Sequence, residues 1–177
     1  AWSSAASDVY KRQDLNAASE KKLVVTNTPE VLTDATAEIG ILLILGACRR
    51  VPEGIEGSKK GDWKWSADYL IGKQLTGTRL GILGMGRIGQ KIGKVAKSLG
   101  MVIHYHNRSK LDSGKENGAI YHKTLESLMS VSDVLSVCCP ASKETINLIN
   151  KKTISLLPNG AIAVSYTHLT LPTTKQV

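Results

Sequence analysis

Gly84-Met85-Gly86-Arg87-Ile88-Gly89 has the spacing G-x-G-x-x-G, directly after the apolar run LGIL at 80–83 and at the start of an amphipathic stretch. In that setting each glycine has a separate task. Gly84 permits a tight turn, Gly86 keeps a Cβ out of the space between backbone and anion, and Gly89 lets a helix lie close to the strand. The N–H groups of the helix start then face an anion. A P-loop is excluded because Gln90, rather than Lys and Ser or Thr, follows Gly89.

The end of the second strand selects among dinucleotides, since an acid there holds the two ribose hydroxyls of NAD and repels a 2′-phosphate. The residues at that point are His106-Asn107-Arg108-Ser109, with no acid; Asp112 comes too late, in a polar loop. Arg108 can pair with the phosphate instead. A charge-assisted hydrogen bond of about 1.5–3 kcal/mol corresponds to roughly ten- to hundredfold discrimination. The expectation is therefore NADP(H) in preference to NAD(H).

Other chemistry-bearing residues form no comparable pattern. Cys48, Cys138 and Cys139 include an adjacent pair that cannot close an ordinary disulfide, and none stands at metal-ligand spacing. They read as small buried hydrophobes in a reducing, cytoplasmic setting. His104, His106 and His122 lack a ligand spacing such as H-x-x-x-H, so no metal is expected. The net charge of +8 comes from scattered Lys and Arg, and aromatic residues are only 5% of the chain, which argues against a nucleic-acid surface. The longest apolar run, at 39–48, is too short to cross a bilayer and too far along the chain for a signal peptide.

With 177 residues, 42% of them hydrophobic, the chain can bury one ordinary core. From residue 79 onward apolar runs at 80–83, 101–105, 119–121, 134–137 and 161–163 alternate with helical stretches. That alternation predicts an α/β fold, a Rossmann-like doubly wound parallel sheet. In its first helix Ile88, Ile92, Val95, Ala96 and Leu99 make one stripe facing the sheet. Upstream, KLVVT at 22–26 reads as a strand stopped at Pro29. Thr33 and Asp34 offer N-cap oxygens to a helix running to about residue 50, apolar almost all round at 39–45 and so covered on more than one face. Residues 51–75, with Pro52, Gly54, Gly57, Gly61, Trp63 and Trp65, read as a turn-rich connector with two large anchors.

The two ends have a different character. Residues 3–13, SSAASDVYKRQ, back-translate without forcing to a stretch of transposase adaptor DNA used in shotgun sequencing libraries. The reverse complement of the same DNA, in another frame, translates to VSYTHLTLPT, residues 164–173. Residues 1–13 and 164–177 are therefore read as adaptor-derived and set aside, although the alternating polarity at 166–171 would suit a strand.

Several segments together resemble the D-isomer-specific 2-hydroxyacid dehydrogenases, and among them the NADPH-dependent glyoxylate and hydroxypyruvate reductases. They are DLNAA at 14–18, VTNTPEVLTDATAE at 25–38, ACRR at 47–50, LTGTRLGILGMGRIGQ at 75–90, YHNRS at 105–109 and SDVLSVCCPASKETINLIN at 132–150. The resemblance implies a remnant of a substrate domain at 14–32, an interdomain helix and connector at 33–74, and a partial NAD(P)-binding domain at 75–163. It implies that Thr33 lies near the nicotinamide, that Gly86, Arg87 and Ile88 meet the pyrophosphate, and that Asn107, Arg108 and Ser109 meet the 2′-phosphate. Cys139, Pro140 and Thr145 would line the cofactor cleft. A homodimer built on the helix that starts at Thr33 is also implied for the parent enzyme.

The same resemblance places the family's catalytic groups elsewhere. An arginine of an Asn-x-x-Arg-Gly motif would follow residues 161–163, and a glutamate and the histidine it orients would come later; none has a counterpart here. The expectation is a parent enzyme that reduces a small 2-oxo acid, glyoxylate or hydroxypyruvate, while this polypeptide gives no turnover and binds cofactor weakly or not at all. Two alternatives share the fold: a dinucleotide-sensing corepressor and an enzyme similar to 3-phosphoglycerate dehydrogenase. Both favour an acid on the second strand, which Arg108 speaks against.

Overall fold

A computed structural model describes residues 15–24, 30–61, 65–140, 142 and 144–166. The chain divides into a small unit, residues 1–31, and a large one, residues 32–177. In the small unit helix α1, Leu15–Glu20, ends where Lys22 takes a left-handed φ of 53°. The expected strand is not formed at Lys22–Val24; residues 25–29 lie outside the described set.

The large unit opens with α2, Thr33–Cys48, and α3, Val51–Lys60. Five strands follow: β1 Arg79–Leu83, β2 Val102–His106, β3 Ile120–Tyr121, β4 Val134–Val137 and β5 Ile162–Ser165. They form one sheet in the order β3-β2-β1-β4-β5, and every pair is parallel. Between them run α4 Arg87–Ser98, α5 Ser113–Glu116, α6 Leu125–Val131 and α7 Lys151–Ile154. Strand order turns outward on both sides of β1, so the cleft between the carboxyl ends of β1 and β4 is the topological switch point where doubly wound sheets take ligands.

The sheet is buried on both faces because alternate strand residues serve different layers. Ile82, Ile103, Tyr105 and Val134 join Ile44 of α2 and Ile92 and Ala96 of α4 in one core; Leu83, Leu135 and Val137 join Leu128 and Met129 of α6 in another. The expected stripe of α4 is displaced. Its buried positions are Gly89, Ile92, Gly93 and Ala96, while Val95 and Leu99 are exposed. Close approach runs along the two glycines, where a Cβ on Gly93 would meet Ile82 at 3.2 Å, and this turns the helix toward them.

Three other expectations change. Leu32, with no side-chain capping bond, precedes α2, so Thr33 and Asp34 lie inside its first turn, where Asp34 still complements the dipole. The helix ends at Cys48, and Arg50 at φ 55° breaks it. The supposed connector begins as α3, because Pro52 sits in the first turn, where its missing N–H costs nothing, and Gly61 closes the helix at φ 69°. Trp65 is 85% exposed and anchors nothing in this unit, and Trp63 is outside the described residues. Finally, α2 buries Ala37, Gly40, Ile44 and Cys48 but leaves Ile39, Leu42 and Leu43 exposed, so the described residues cover only one of its faces.

β5 extends past Ala163 to Ser165 and buries Val164 in the core. Tyr166 lies beyond the strand, and residues 167–171 are outside the described set. Among the described residues no helix is long and apolar enough to cross a membrane.

Candidate functional site

The turn after β1 is built from the glycine spacing. Gly84 has φ 94°, and a Cβ on it would stand 2.6 Å from the Cys139 nitrogen and 2.7 Å from its Cα. The turn therefore lies directly against the segment leaving β4. Two backbone hydrogen bonds hold it in the sheet, from Gly84 N to His106 O at 3.0 Å and from Cys138 N to Leu83 O at 2.8 Å. A Cβ on Gly89 would meet Gly84 O at 2.6 Å and Ile82 Cγ2 at 3.1 Å, so α4 rests on the strand at van der Waals distance.

Gly86 is different. Its φ of −77° is open to any residue, and a Cβ there would meet nothing within 4 Å. The fold has no need of glycine at this place, and the space over the start of α4 that a side chain would fill stands open. That start carries no side-chain cap. The cradle fits a pyrophosphate on the N–H groups of the first turn.

Beside it the chain leaves β2. Asn107 Oδ1 accepts a hydrogen bond of 2.6 Å from Met85 N, so its carboxamide oxygen is turned to the glycine turn. Arg108 and Ser109 are exposed beyond it, and no acid occurs among residues 106–111. Asp112 pairs with Lys115 at 3.4 Å and is not at the strand end. Glu144, which sequence spacing did not single out, comes within the field of Arg108 from the segment after β4. Its carboxyl is held below the usual range, first by the Ser142 hydroxyl at 2.6 Å, then by its own backbone N–H, and least by Arg108.

Cys138 and Cys139 lie where the turn after β1 meets the end of β4, with Pro140 next in the chain. Burial raises the thiol pKa of both cysteines there, that of Cys138 to about 11, so they stay protonated and non-nucleophilic at neutral pH. Thr145 uses its hydroxyl inside its own loop, donating to Pro140 O at 2.8 Å and accepting from Ser142 N at 2.7 Å. Thr33 is partly buried in the first turn of α2, next to Asp34, whose carboxylate meets Lys91 of α4 at 2.7 Å. That pair brings the start of α2 alongside the first half of α4.

The histidines make a chain that spacing did not reveal. His104 Nδ1 and His122 Nε2 are 2.9 Å apart, His122 Nδ1 is 2.7 Å from Ser127 Oγ, and His106 Nδ1 is 2.8 Å from the His122 carbonyl. Burial lowers the pKa of both His104 and His122; His122 and then Arg79 lower that of His104 further, against Asp133, and His106 lowers that of His122. Among the described residues no group of three His, Cys, Asp or Glu side chains could hold a metal ion. Tyr105, on the other face of β2, donates to Glu116 Oε1 at 2.6 Å and accepts from Leu111 N at 3.0 Å. Burial, then Glu116, pushes its hydroxyl up to about 12, so it remains a donor.

Comparison with known proteins agrees with this fold. The profile of the D-isomer specific 2-hydroxyacid dehydrogenase NAD binding domain matches residues 41–168. A glyoxylate reductase of Aeropyrum pernix is 43% identical over 158 residues, covering 86% of this chain and 47% of that protein. A glycerate dehydrogenase of Hyphomicrobium methylovorum is 40% identical over 155 residues, covering 86% and 48%. The crystal structure of a glyoxylate reductase from Paecilomyes thermophila superimposes with a TM-score of 0.79 at 34% identity, covering 88% of this chain and 47% of that one. The chain thus spans about half the length of the curated relatives it matches.

Proposed function

Because the chain belongs to the D-isomer specific 2-hydroxyacid dehydrogenase family, we propose that it is most of the coenzyme-binding half of an enzyme that reduces a small 2-oxo acid with NADPH. The substrate class is glyoxylate or hydroxypyruvate, in keeping with relatives named glyoxylate reductase and glycerate dehydrogenase. Arg108 carries the coenzyme assignment: it is an exposed guanidinium just past β2, with no acid among residues 106–111 to compete for the ribose.

The bound coenzyme supplies hydride to the 2-oxo carbon. This chain's residues bind and orient it. Amides of Arg87 and Ile88 take the pyrophosphate in the space over Gly86, Arg108 and Ser109 take the 2′-phosphate, and Cys139 and Pro140 wall the cleft. Thr33 belongs to the nicotinamide end. None of His104, His106 or His122 is proposed as the proton donor, because each is tied into the β2–β3 network. The 177-residue polypeptide by itself is accordingly proposed to bind coenzyme weakly and to turn nothing over.

Residues 14–32 are assigned to the substrate domain of the parent enzyme and residues 1–13 and 164–177 to translated adaptor, on the two complementary matches to one DNA word. The exposed Ile39, Leu42 and Leu43 of α2 are assigned to a homodimer contact. The unpaired cysteines suit a reducing cytoplasm.

The test is steady-state kinetics of the uninterrupted enzyme with both coenzymes. A kcat/KM for NADPH at least tenfold above that for NADH is expected. Equal or better use of NADH would overturn the assignment.

A further inference from the structure

We propose that Tyr105 and Glu116 are positioning residues for coenzyme selection, holding residues 108–110 as a rigid cationic arch over the 2′-phosphate position. The proposal rests on the reading of Arg108 given above and extends it to residues that never touch the coenzyme.

The arch is defined by its anchors. At its near end Asn107 Oδ1 accepts from Met85 N at 2.6 Å, which ties the arch to the glycine turn. At its far end Leu111 N donates to the Tyr105 hydroxyl at 3.0 Å. Only Arg108, Ser109 and Lys110 lie between these ties, and all three are exposed. An excursion this short, fixed at both ends, leaves little freedom to the guanidinium it carries.

Tyr105 is suited to the task. It is fully buried in β2, and its ring packs against Tyr121 with centroids 5.3 Å apart, so the hydroxyl is placed by the strand itself. That hydroxyl makes two bonds at once, accepting from Leu111 N and donating to Glu116 Oε1 at 2.6 Å. It therefore joins the end of the arch to α5, the element that follows it. Glu116 is only 13% exposed and also faces Lys110 at 3.7 Å. A carboxylate beneath a phosphate site would repel the ligand if it were free; bonded to Tyr105 and neutralised by Lys110, it instead holds the arch from below.

A loose arch would pay its ordering cost only when a 2′-phosphate binds. The test compares adenosine 2′,5′-bisphosphate with 5′-AMP, ligands that differ in that phosphate alone, titrated into the chain and followed by NMR so that millimolar affinities register. The unaltered chain is expected to prefer the bisphosphate by tenfold or more. Tyr105→Phe should lower that ratio about three- to tenfold, the worth of one hydrogen bond, with 5′-AMP affinity changed less than twofold. Glu116→Gln, whose amide oxygen still accepts from Tyr105, should retain most of the ratio, and Glu116→Ala should lose it.

A ratio unchanged in Tyr105→Phe and Glu116→Ala overturns the positioning role and leaves the Arg108 reading standing. Equal loss for both ligands also overturns it, since that marks a merely structural effect. A ratio near one in the unaltered chain overturns the phosphate reading and this inference with it. Should Tyr105→Phe fail to fold, the two Glu116 variants decide the matter.

Discussion

Arg79 and Asp133 meet side-on, with Nε and a terminal guanidinium nitrogen of Arg79 at 2.9 and 2.8 Å from the two carboxylate oxygens of Asp133. Arg79 also donates its backbone N–H to Asp133 Oδ2 at 3.0 Å. One residue opens β1 and the other precedes β4, so the pair joins the two central strands at the end of the sheet opposite the glycine turn. Lys73 adds to it, donating to Gly160 O at 2.9 Å.

This pair sets an acid limit to stability. The Arg79 guanidinium holds the Asp133 carboxyl at about 2, below its ordinary 3.8. A depressed carboxyl contributes stability that is present above its unfolded value and lost as pH falls through the folded one, here between about pH 4 and 2. Asp133→Asn is expected to cost about 1–2 kcal/mol at pH 7, moderated because Arg79 is 42% exposed. Urea unfolding should show it, with the pH dependence in that window flattened in the variant. An unchanged slope would remove Asp133 as its source.

Gly86 and Gly89 should separate binding from folding. Gly89→Ala must push α4 off β1, since the added methyl meets Gly84 O at 2.6 Å, and a loss of about 1–3 kcal/mol is expected together with lost affinity. Gly86→Ala meets nothing within 4 Å and needs no special φ, so the melting temperature should stay within a degree or two (about 0.5 kcal/mol). Coenzyme affinity should nonetheless fall at least tenfold. Full affinity in Gly86→Ala would move the pyrophosphate off this turn.

Coenzyme choice should be reversible at the end of β2. Asn107→Asp keeps an oxygen to accept from Met85 N, so the turn is preserved while an acid arrives where ribose hydroxyls would lie. Combined with Arg108→Leu, it is expected to abolish the preference for the 2′-phosphate and shift it toward the unphosphorylated coenzyme by roughly tenfold or more. Paired titrations with NADPH and NADH read this directly. Persistent preference for NADPH would assign the phosphate to another cation.

What could be read from the sequence was whatever leaves a local trace. Each strand of the large unit falls on or beside a short run containing aliphatic residues, with His and Tyr mixed into β2, and the glycine turn carries its spacing in six consecutive residues. The α3 helix was hidden because Pro52 and its glycines look like breakers until Pro52 is seen in the first turn. Asn107 was legible as a site residue but not as a tether, which depends on a contact with Met85 across two strands' ends. Pairings between distant positions, such as Arg79 with Asp133 or His104 with His122, leave no signature in either neighbourhood.

The histidine pair predicts a second, milder pH effect. Burial first, then His122 and Arg79, lowers the pKa of His104, and burial then His106 lowers that of His122. Arg79 and Asp133 are the other charges that His104 feels, and they oppose one another. Bases whose folded pKa is depressed stabilise the fold above their unfolded value of 6.5 and lose that contribution as pH falls below it. The melting temperature should therefore drop between pH 7 and 5, well clear of the Asp133 window. His122→Gln, which can still hydrogen-bond His104 and Ser127, should shrink that drop; an identical drop would place its origin elsewhere.

The uncovered face of α2 predicts self-association. Leu42 is 62% exposed, and Ile39 and Leu43 beside it are exposed too, on a helix whose opposite side is packed against α4. An aliphatic stripe in the middle of a 16-residue helix is costly to leave in water, at about 25 cal/mol per Å². A second copy can offer the same stripe around a two-fold axis, so the contact is self-complementary. Light scattering at tens of micromolar should return twice the chain mass. Leu42→Glu should return the mass of one chain at an unchanged circular dichroism spectrum, because the single chain makes little use of that side chain. A single-chain mass before substitution, at the highest soluble concentration, would refute the contact.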